Sequence, residues 1–480
     1  MRKKFVLVLV VALVLITVLT VLCACESYKA SAIKPAGDKN AAVESNGGLV
    51  VKQGGYLYFV NGYTGYLKEK GKDNWFGNVK KGAIVRVSYA QDGTLGTDYV
   101  VVVPKSIMAD SENVGFSIFG NYIYYVSPSA EEDRSGAVQT DTIQFMRTKL
   151  DGTGTQVILN VKDTSVKYSY TPSALVWYDS SNNKLYSKSL NAKKFKKKDK
   201  GKCIDDEISS VYFPKCDSYD PAQKGKNANE FVFYTKASKD SFEYGNTLYV
   251  VHASGSDKKA VIGPESYQGG KYAVSVVASS VTGGKLAIYY TKTSFVGTSS
   301  TGTALGTFAY EFQDTSFTFG EGAEVKLSSE SLSSLYPISY ASGIVAAGSG
   351  KAVVYYTNGA EPKTFGDLTL NTLVAVAEGK FYYVNGDNFL CYYAMDNTEN
   401  AHYALNEKDK VMTSFTGAEY FGGYLYFIKD DDYDYVYRVK LAGVTVYDAS
   451  AYSYERIGIV TASDQAKMDK EAEDGESSDK

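Results

Sequence analysis

One unit returns eight times along this chain: a glycine or polar turn followed by a short, apolar, tyrosine-rich strand. The copies run Gly55 to Val60, Gly120 to Val126, Ala174 to Tyr178, Phe231 to Tyr234, Gly284 to Tyr290, Ser342 to Ala347, Gly379 to Val384 and Gly423 to Ile428. A period of about 50 residues marks units that cannot bury their faces alone and must stack on their neighbours. Each copy has company. An alternating strand precedes it, such as Val114 to Phe119 or Leu373 to Ala377. A third strand follows, such as Ile143 to Thr148 or Tyr435 to Lys440, and then a shorter, more polar fourth, such as Gln156 to Leu159.

Four strands per unit, A to D, is the blade of a propeller. The fold class predicted is therefore all-β, a β-propeller of eight four-stranded blades. Seven is the alternative if the weak Ser342 copy belongs to a neighbour. A β-helix would need a much shorter repeat, and separate sandwiches would not give one uniform unit. The absence of polar residues from Tyr424 to Ile428 fits a strand covered on both faces. Composition agrees: 42 Tyr and 44 Gly stand against 9 Pro, 2 Trp and 2 His, which favours pleated strands joined by turns.

The first residues read as an address rather than as part of the fold. Arg2, Lys3 and Lys4 precede an almost wholly apolar run from Phe5 to Val21, the pattern of an export signal. Leu22-Cys23-Ala24-Cys25 follows and resembles a bacterial lipobox, in which a small residue precedes the cysteine that is diacylated. Cys25 fits that role; an uncleaved anchor helix is the alternative. The expected organisation is residues 1–24 as lipoprotein signal peptide, 25–48 as flexible linker bearing lipidated Cys25, 49–460 as propeller and 461–480 as disordered acidic tail. The expected location is extracytoplasmic, lipid-anchored to the outer face of the cytoplasmic membrane. Formal charge is −3, and loss of the three basic residues with the signal takes it to −6, which disfavours nucleic acid as a partner.

The repeat resembles the YWTD-like propeller domains of unknown function in Gram-positive surface lipoproteins, and the TolB-type propellers. Glycine-led Tyr-x-Tyr strands carry the likeness, together with Phe145-Met146-Arg147-Thr148-Lys149-Leu150-Asp151-Gly152-Thr153-Gly154 and the shorter Tyr437-Arg438-Val439-Lys440-Leu441-Ala442-Gly443. It spans roughly 400 residues and implies blades, not a chemistry.

Candidate contact points lie in the B–C and D–A loops, which share one face of a propeller, because long loops on a rigid scaffold host binding. Three B–C loops are expected to be long: Asn61 to Lys81, Ser127 to Thr142 and Thr291 to Gly306. The first holds Tyr63, Tyr66, Trp75 and Phe76, rings suited to stacking on sugars or peptide side chains, or to covering their own blade. Seven lysines between Lys193 and Lys202 form a basic run that could meet anionic polymer or lipid headgroups, or serve as a solvated loop. Asp430 to Asp434 is rich in carboxylates but lacks the spacing of a Ca²⁺ loop. Gly297 to Gly306 has no G-K-[ST] and no following helix, so it does not read as a phosphate cradle.

No catalytic residue, metal ligand or cofactor is assigned. Only His252 and His402 are available for a histidine-based site, and both read as packing or surface residues. Cys203, Cys216 and Cys391 are an odd set beyond Cys25. A strand predicted over Ser209 to Phe213 covers roughly 16 Å, against the about 7 Å limit between bridged Cα atoms, so a Cys203–Cys216 bridge would need folded-back loops. Cys391 lies in an apolar strand and reads as a buried thiol. The function expected is a cell-surface binding or scaffold module for an envelope glycan, peptide or protein. The alternative is a propeller enzyme with two carboxylates at the channel mouth, a polysaccharide hydrolase or lyase.

Overall fold

Each tyrosine-rich run is apolar on both faces, so it can be satisfied only between two neighbouring sheets. The structure, a computed structural model, describes residues 32–62, 82–104, 115–129, 141–163, 165–196, 198–215, 217–223, 230–238, 244–263, 270–282, 285–296, 299–312, 324–332, 334–337, 343–348, 351–365, 370–403, 418–429, 435–442 and 455–458. Eight antiparallel sheets are formed, and the eight sequence copies are their B strands. The blades occupy residues 50–103, 117–161, 167–205, 210–262, 270–328, 335–365, 370–403 and 418–457. The weak copy is a true B strand, Gly343–Gly348, with its own partners on either side, so the count is eight and not seven.

The cores lie between blades. Phe233, Leu248 and Val250 of blade 4 meet Val274, Ile288 and Tyr290 of blade 5 in one buried cluster. Val345, Val354 and Phe365 of blade 6 meet Phe381 and Tyr383 of blade 7, and Tyr382 and Val384 meet Leu425 and Phe427 of blade 8. Cys391 is buried in the blade 6–7 cluster as a free thiol, pushed up to about 11 by desolvation. Full burial of such a side chain stabilises by about 1.5–3 kcal/mol, so each blade depends on its neighbour for most of its stability.

Three blades add a polar device to this packing. In blades 1, 2 and 8 the B strand carries Tyr-x-Tyr and the C strand places an arginine directly opposite the second tyrosine: Tyr58↔Arg86, Tyr124↔Arg147 and Tyr426↔Arg438. Each guanidinium lies over the ring of the first tyrosine, 4.4 Å from Tyr56, 4.3 Å from Tyr122 and 4.5 Å from Tyr424. The cation–π contact orients the planar fork, whose donors then reach across to the next element. Arg147 donates to the carbonyls of Leu190 (2.7 Å) and Ala192 (2.6 Å) in the C–D turn of blade 3. Arg438 donates to the Gly93 carbonyl (2.8 Å) in the C–D turn of blade 1. Arg86 donates to the Pro35 carbonyl, on a strap formed by the N-terminal segment.

Blade 8 and blade 1 meet without exchanging a strand, since all four strands of blade 8 come from residues 418–457. Closure of the ring rests on side chains. Besides Arg438, the rings of Phe421 and Tyr89 pack 6.0 Å apart, and Tyr426, Ile428 and Val436 join the buried cluster of blade 1. Gly93 is held at φ +87°, and a Cβ there would sit 2.6 Å from the Tyr424 ring. Only glycine lets the turn approach that ring with its carbonyl aimed at Arg438.

Part of the stretch expected as linker is built into this ring. The Ile33 N–H donates to Asp151 (2.9 Å) in the C–D turn of blade 2. A Cβ on Gly37 would lie 2.5 Å from the Tyr58 hydroxyl, so the strap lies hard against the B strand of blade 1. Val43–Glu44 then pairs with the A strand Val50–Gln53 on its free inner edge, and Ser218–Tyr219 pairs with Val43–Glu44 in turn. Ser218–Tyr219 belongs to an insertion, residues 213–230, in the A–B connection of blade 4. Blade 1 thus becomes a six-stranded sheet reaching into the axial channel.

Arg438→Met should destabilise the fold by about 2–4 kcal/mol, because it strands the Gly93 carbonyl and removes a charged hydrogen bond at the closure. Urea denaturation at neutral pH measures this; a midpoint unchanged from the parent would show that apolar packing alone closes the ring.

Candidate binding surfaces

The B–C and D–A connections share one face, and among the described strands those of blade 5 run longest toward it. Its A strand is Gly270–Thr282, its B strand Lys285–Val296 and its C strand Thr303–Glu311. The connection Thr291 to Gly306, expected as a long loop, is largely strand. Thr293 pairs with Ala304 and Ser294 with Thr303, while Lys271 pairs with Phe295 on the other side. β-Branched and aromatic residues in Thr291–Val296 keep the ladder going where the glycine and serine content suggested a loop.

This extension carries an apolar tip. Val296 is 57% exposed, and Tyr244, from the B–C connection of blade 4, is 47% exposed. The Tyr244 and Phe295 rings lie 5.7 Å apart at 34°, and Asn246 fixes the pair of blades by exchanging two hydrogen bonds with Val274 (2.8 and 3.0 Å). Lys292 sits below the tip, 4.8 Å from the Phe308 ring and paired with Glu324 (2.7 Å). The surface is a rigid aromatic shelf over a satisfied polar base. Tyr63, Tyr66, Trp75 and Phe76 lie outside the described residues, as do Cys25, Cys216 and Asp430 to Asp434.

The channel mouth on this face brings two carboxylates together. Glu419, at the start of the A strand Ala418–Phe421, accepts the N–H groups of Leu49 (2.8 Å) and Val50 (3.1 Å) and a hydrogen bond from the Ser45 hydroxyl. Asp217 precedes Ser218–Tyr219, and its carbonyl accepts the Asn46 N–H (2.8 Å). Asn46 in turn exchanges two hydrogen bonds with Ile118 of blade 2 (2.7 and 3.2 Å). One turn, residues 45–48, therefore ties blades 1, 2, 4 and 8. Desolvation pushes Glu419 up to about 7 against the pull of these donors, and the neighbouring Asp217 charge adds to the rise. Asp217 keeps solvent contact along the axis but is crowded by protein, and desolvation raises it as well. Both oxygens of Glu419 are engaged by the chain itself, which suits a structural tie better than a proton donor to substrate.

The histidines are placed by packing. His402 stacks on Tyr392 with centroids 5.2 Å apart. His252 ends the C strand Asn246–His252, with Nε2 3.4 Å from the buried Glu230 and Nδ1 2.7 Å from the Ser254 hydroxyl. That order of groups resembles a nucleophile relay, but Nδ1 also accepts the Ser254 backbone N–H (3.1 Å). The nitrogen needed to take the hydroxyl proton is already committed to locking the turn. Asp205, held down at about 2 by Lys258, Tyr234 and Lys236 despite its burial, is likewise an inter-blade tie. Among the described residues no three His, Cys, Asp or Glu side chains form a metal-holding group.

No protein-family model and no curated protein matches the chain. Among solved structures it is similar to apo AztD from Citrobacter koseri, with TM-score 0.38 and 10% identity over 79% of this chain and 93% of that one. It is also similar to Chaetomium thermophilum Sqt1 bound to the N-terminus of ribosomal protein L10, with TM-score 0.34 and 10% identity over 82% and 96%. A structure titled as the eukaryotic initiation factor gives TM-score 0.40 and 10% identity over 87% and 96%. At these scores the likenesses carry no argument about what this chain binds.

Because Glu419 lies above its ordinary value in the folded state, its stabilising contribution is complete below about pH 4.5 and is lost as pH rises through 7. Urea unfolding should therefore show a more stable ring at pH 5 than at pH 8, by up to about 3 kcal/mol from this group. Glu419→Gln, which keeps the acceptor for Leu49 and Val50, should flatten that dependence; an unchanged pH profile would remove Glu419 as its source.

Proposed function

We propose that this chain is a binding module of the bacterial cell surface, tethered to the membrane through acylated Cys25, that takes its partner on the B–C and D–A face. The observation that supports it most is the ring pair of Tyr244 and Phe295 on a strand-built extension, with Val296 exposed at the end of the same strand. An exposed ring packed against a second ring suits the C–H face of a sugar or the side chain of an extended peptide. Tyr63, Tyr66, Trp75 and Phe76 of blade 1 are proposed as a second contact of the same kind on this face. The partner class is an envelope glycan, peptide or protein. The carboxylates at the channel mouth support a second reading, a polysaccharide hydrolase or lyase, and loss of glycan cleavage in Glu419→Gln would favour it.

Binding to arrays of envelope glycans and peptides tests the first reading. A ligand found there should lose about tenfold or more in affinity with Tyr244→Ala and Val296→Ser combined, the loss expected for a central apolar anchor. Retained affinity in that variant and in Trp75→Ala would sink the proposed face.

A further inference from the structure

We infer that the opposite face, formed by the A–B and C–D turns, bears on an anionic lipid surface through the lysine-rich C–D turn of blade 3. The inference rests on the membrane tether proposed above and adds an orientation and a contact to it.

Three features converge on one turn. The N-terminal strap leaves the ring at the C–D turn of blade 2, where the Ile33 N–H donates to Asp151. That turn connects Ile143–Lys149 with Gln156–Val161. At its far end Gln156 donates to the Lys193 carbonyl (3.2 Å), and Arg147 holds Leu190 and Ala192. Phe195 closes over the same guanidinium, 4.5 Å from its ring. The lysine turn is thus fixed beside the point where the tether departs, on the same face.

Positive charge predominates where the blade 3 turn meets solvent, while exposed acids such as Asp92, Asp257, Glu361 and Glu378 lie on other turns of the same face. Lys193, Lys194, Lys196, Lys198, Lys200 and Lys202 are exposed, and so are Lys34 and Lys39 of the strap. Acids are fewer: the strap's Asp38 and the turn's Asp199 are exposed, and Asp199 and Asp151 are also bonded within the chain. Asp199 faces the buried Lys188 (3.5 Å) and accepts the Gly201 N–H (3.0 Å), while Asp151 accepts the N–H and hydroxyl of Thr153 (2.9 and 2.6 Å). Eight residues from Cys25 to Ile33 span at most about 27 Å when extended. The tether is short enough to keep the lysines near the bilayer, and contraction to under about a third of that reach brings them inside the roughly 8 Å range over which headgroup charge acts in physiological salt.

The test is amine acetylation of the full chain in vesicles, read by mass spectrometry. One vesicle is phosphatidylcholine, the other one-third phosphatidylglycerol. On the anionic vesicle Lys193 to Lys202 should react about fivefold more slowly, Lys162 on the other face should be unaffected, and molar salt should abolish the difference. Lys193→Glu, Lys194→Glu, Lys198→Glu and Lys200→Glu combined should remove the protection of Lys196 and Lys202 without moving the unfolding midpoint. Equal rates on both vesicles, or protection of Lys162 instead, would overturn the orientation. Protection by soluble polyglycerol phosphate with none from vesicles would assign the lysines to a polymer and overturn it too. The mass of the N-terminal peptide reads Cys25 separately. Protection without acylation upholds the contact and defeats the lipid tether; acylation without protection does the reverse.

Discussion

Everything in this fold hangs on a ring that must close without a shared strand. Each sheet is apolar on both faces, so an open arc would leave the flanks of blades 1 and 8 in water. The closing interaction has to be strong and directional because no ladder of backbone hydrogen bonds crosses the seam. Arg438 supplies it, clamped on Tyr424 and aimed at Gly93, with Tyr89 and Phe421 packed alongside. The same clamp in blades 1 and 2 shows that the seam reuses a device of the repeat. What differs is the receiver: a neighbouring turn for Arg147 and Arg438, the N-terminal strap for Arg86.

A guanidinium serves here where a lysine would not. It can stack flat on a ring while its donors leave in the plane toward two carbonyls, as Arg147 does at 2.7 and 2.6 Å. Blades 4 and 5 reach a comparable result by a different chemistry. There Tyr234 with Lys236 and Tyr290 with Lys292 each converge on one carboxylate, Asp205 or Glu324. The lysine version buries the tyrosine hydroxyl against a carboxylate and leaves its proton in place, since desolvation raises Tyr234 and Tyr290 well above the ordinary range.

The eight B strands were legible because runs such as Tyr424 to Ile428 or Phe381 to Val384 are apolar throughout, a local property. Arg147 and Arg438 were visible in the repeated motif, yet their role was not, because it depends on cross-strand register with Tyr124 and Tyr426. The blade 5 extension misled for a compositional reason: glycines and serines from Gly297 onward hid a ladder that runs to Val296 and resumes at Thr303. Tyr244 gave no signal of its own, being one tyrosine among 42. Glu419 lay at the edge of an ordinary strand, and its partners Ser45, Leu49 and Val50 are far away in sequence.

That last separation has a temporal meaning. Ser45 and Glu419 are 374 positions apart, and Val43–Glu44 waits for Ser218–Tyr219 from the middle of the chain. During synthesis the N-terminal strap emerges first, but its axial partners arrive with blade 4 and then blade 8. Long-range pairings of this kind form late, because loop closure must precede any gain from contact. The turn at residues 45–48 is therefore a completion latch. It is satisfied only when the last blade is in place, and until then a partly built ring keeps that turn unfinished and its seam open.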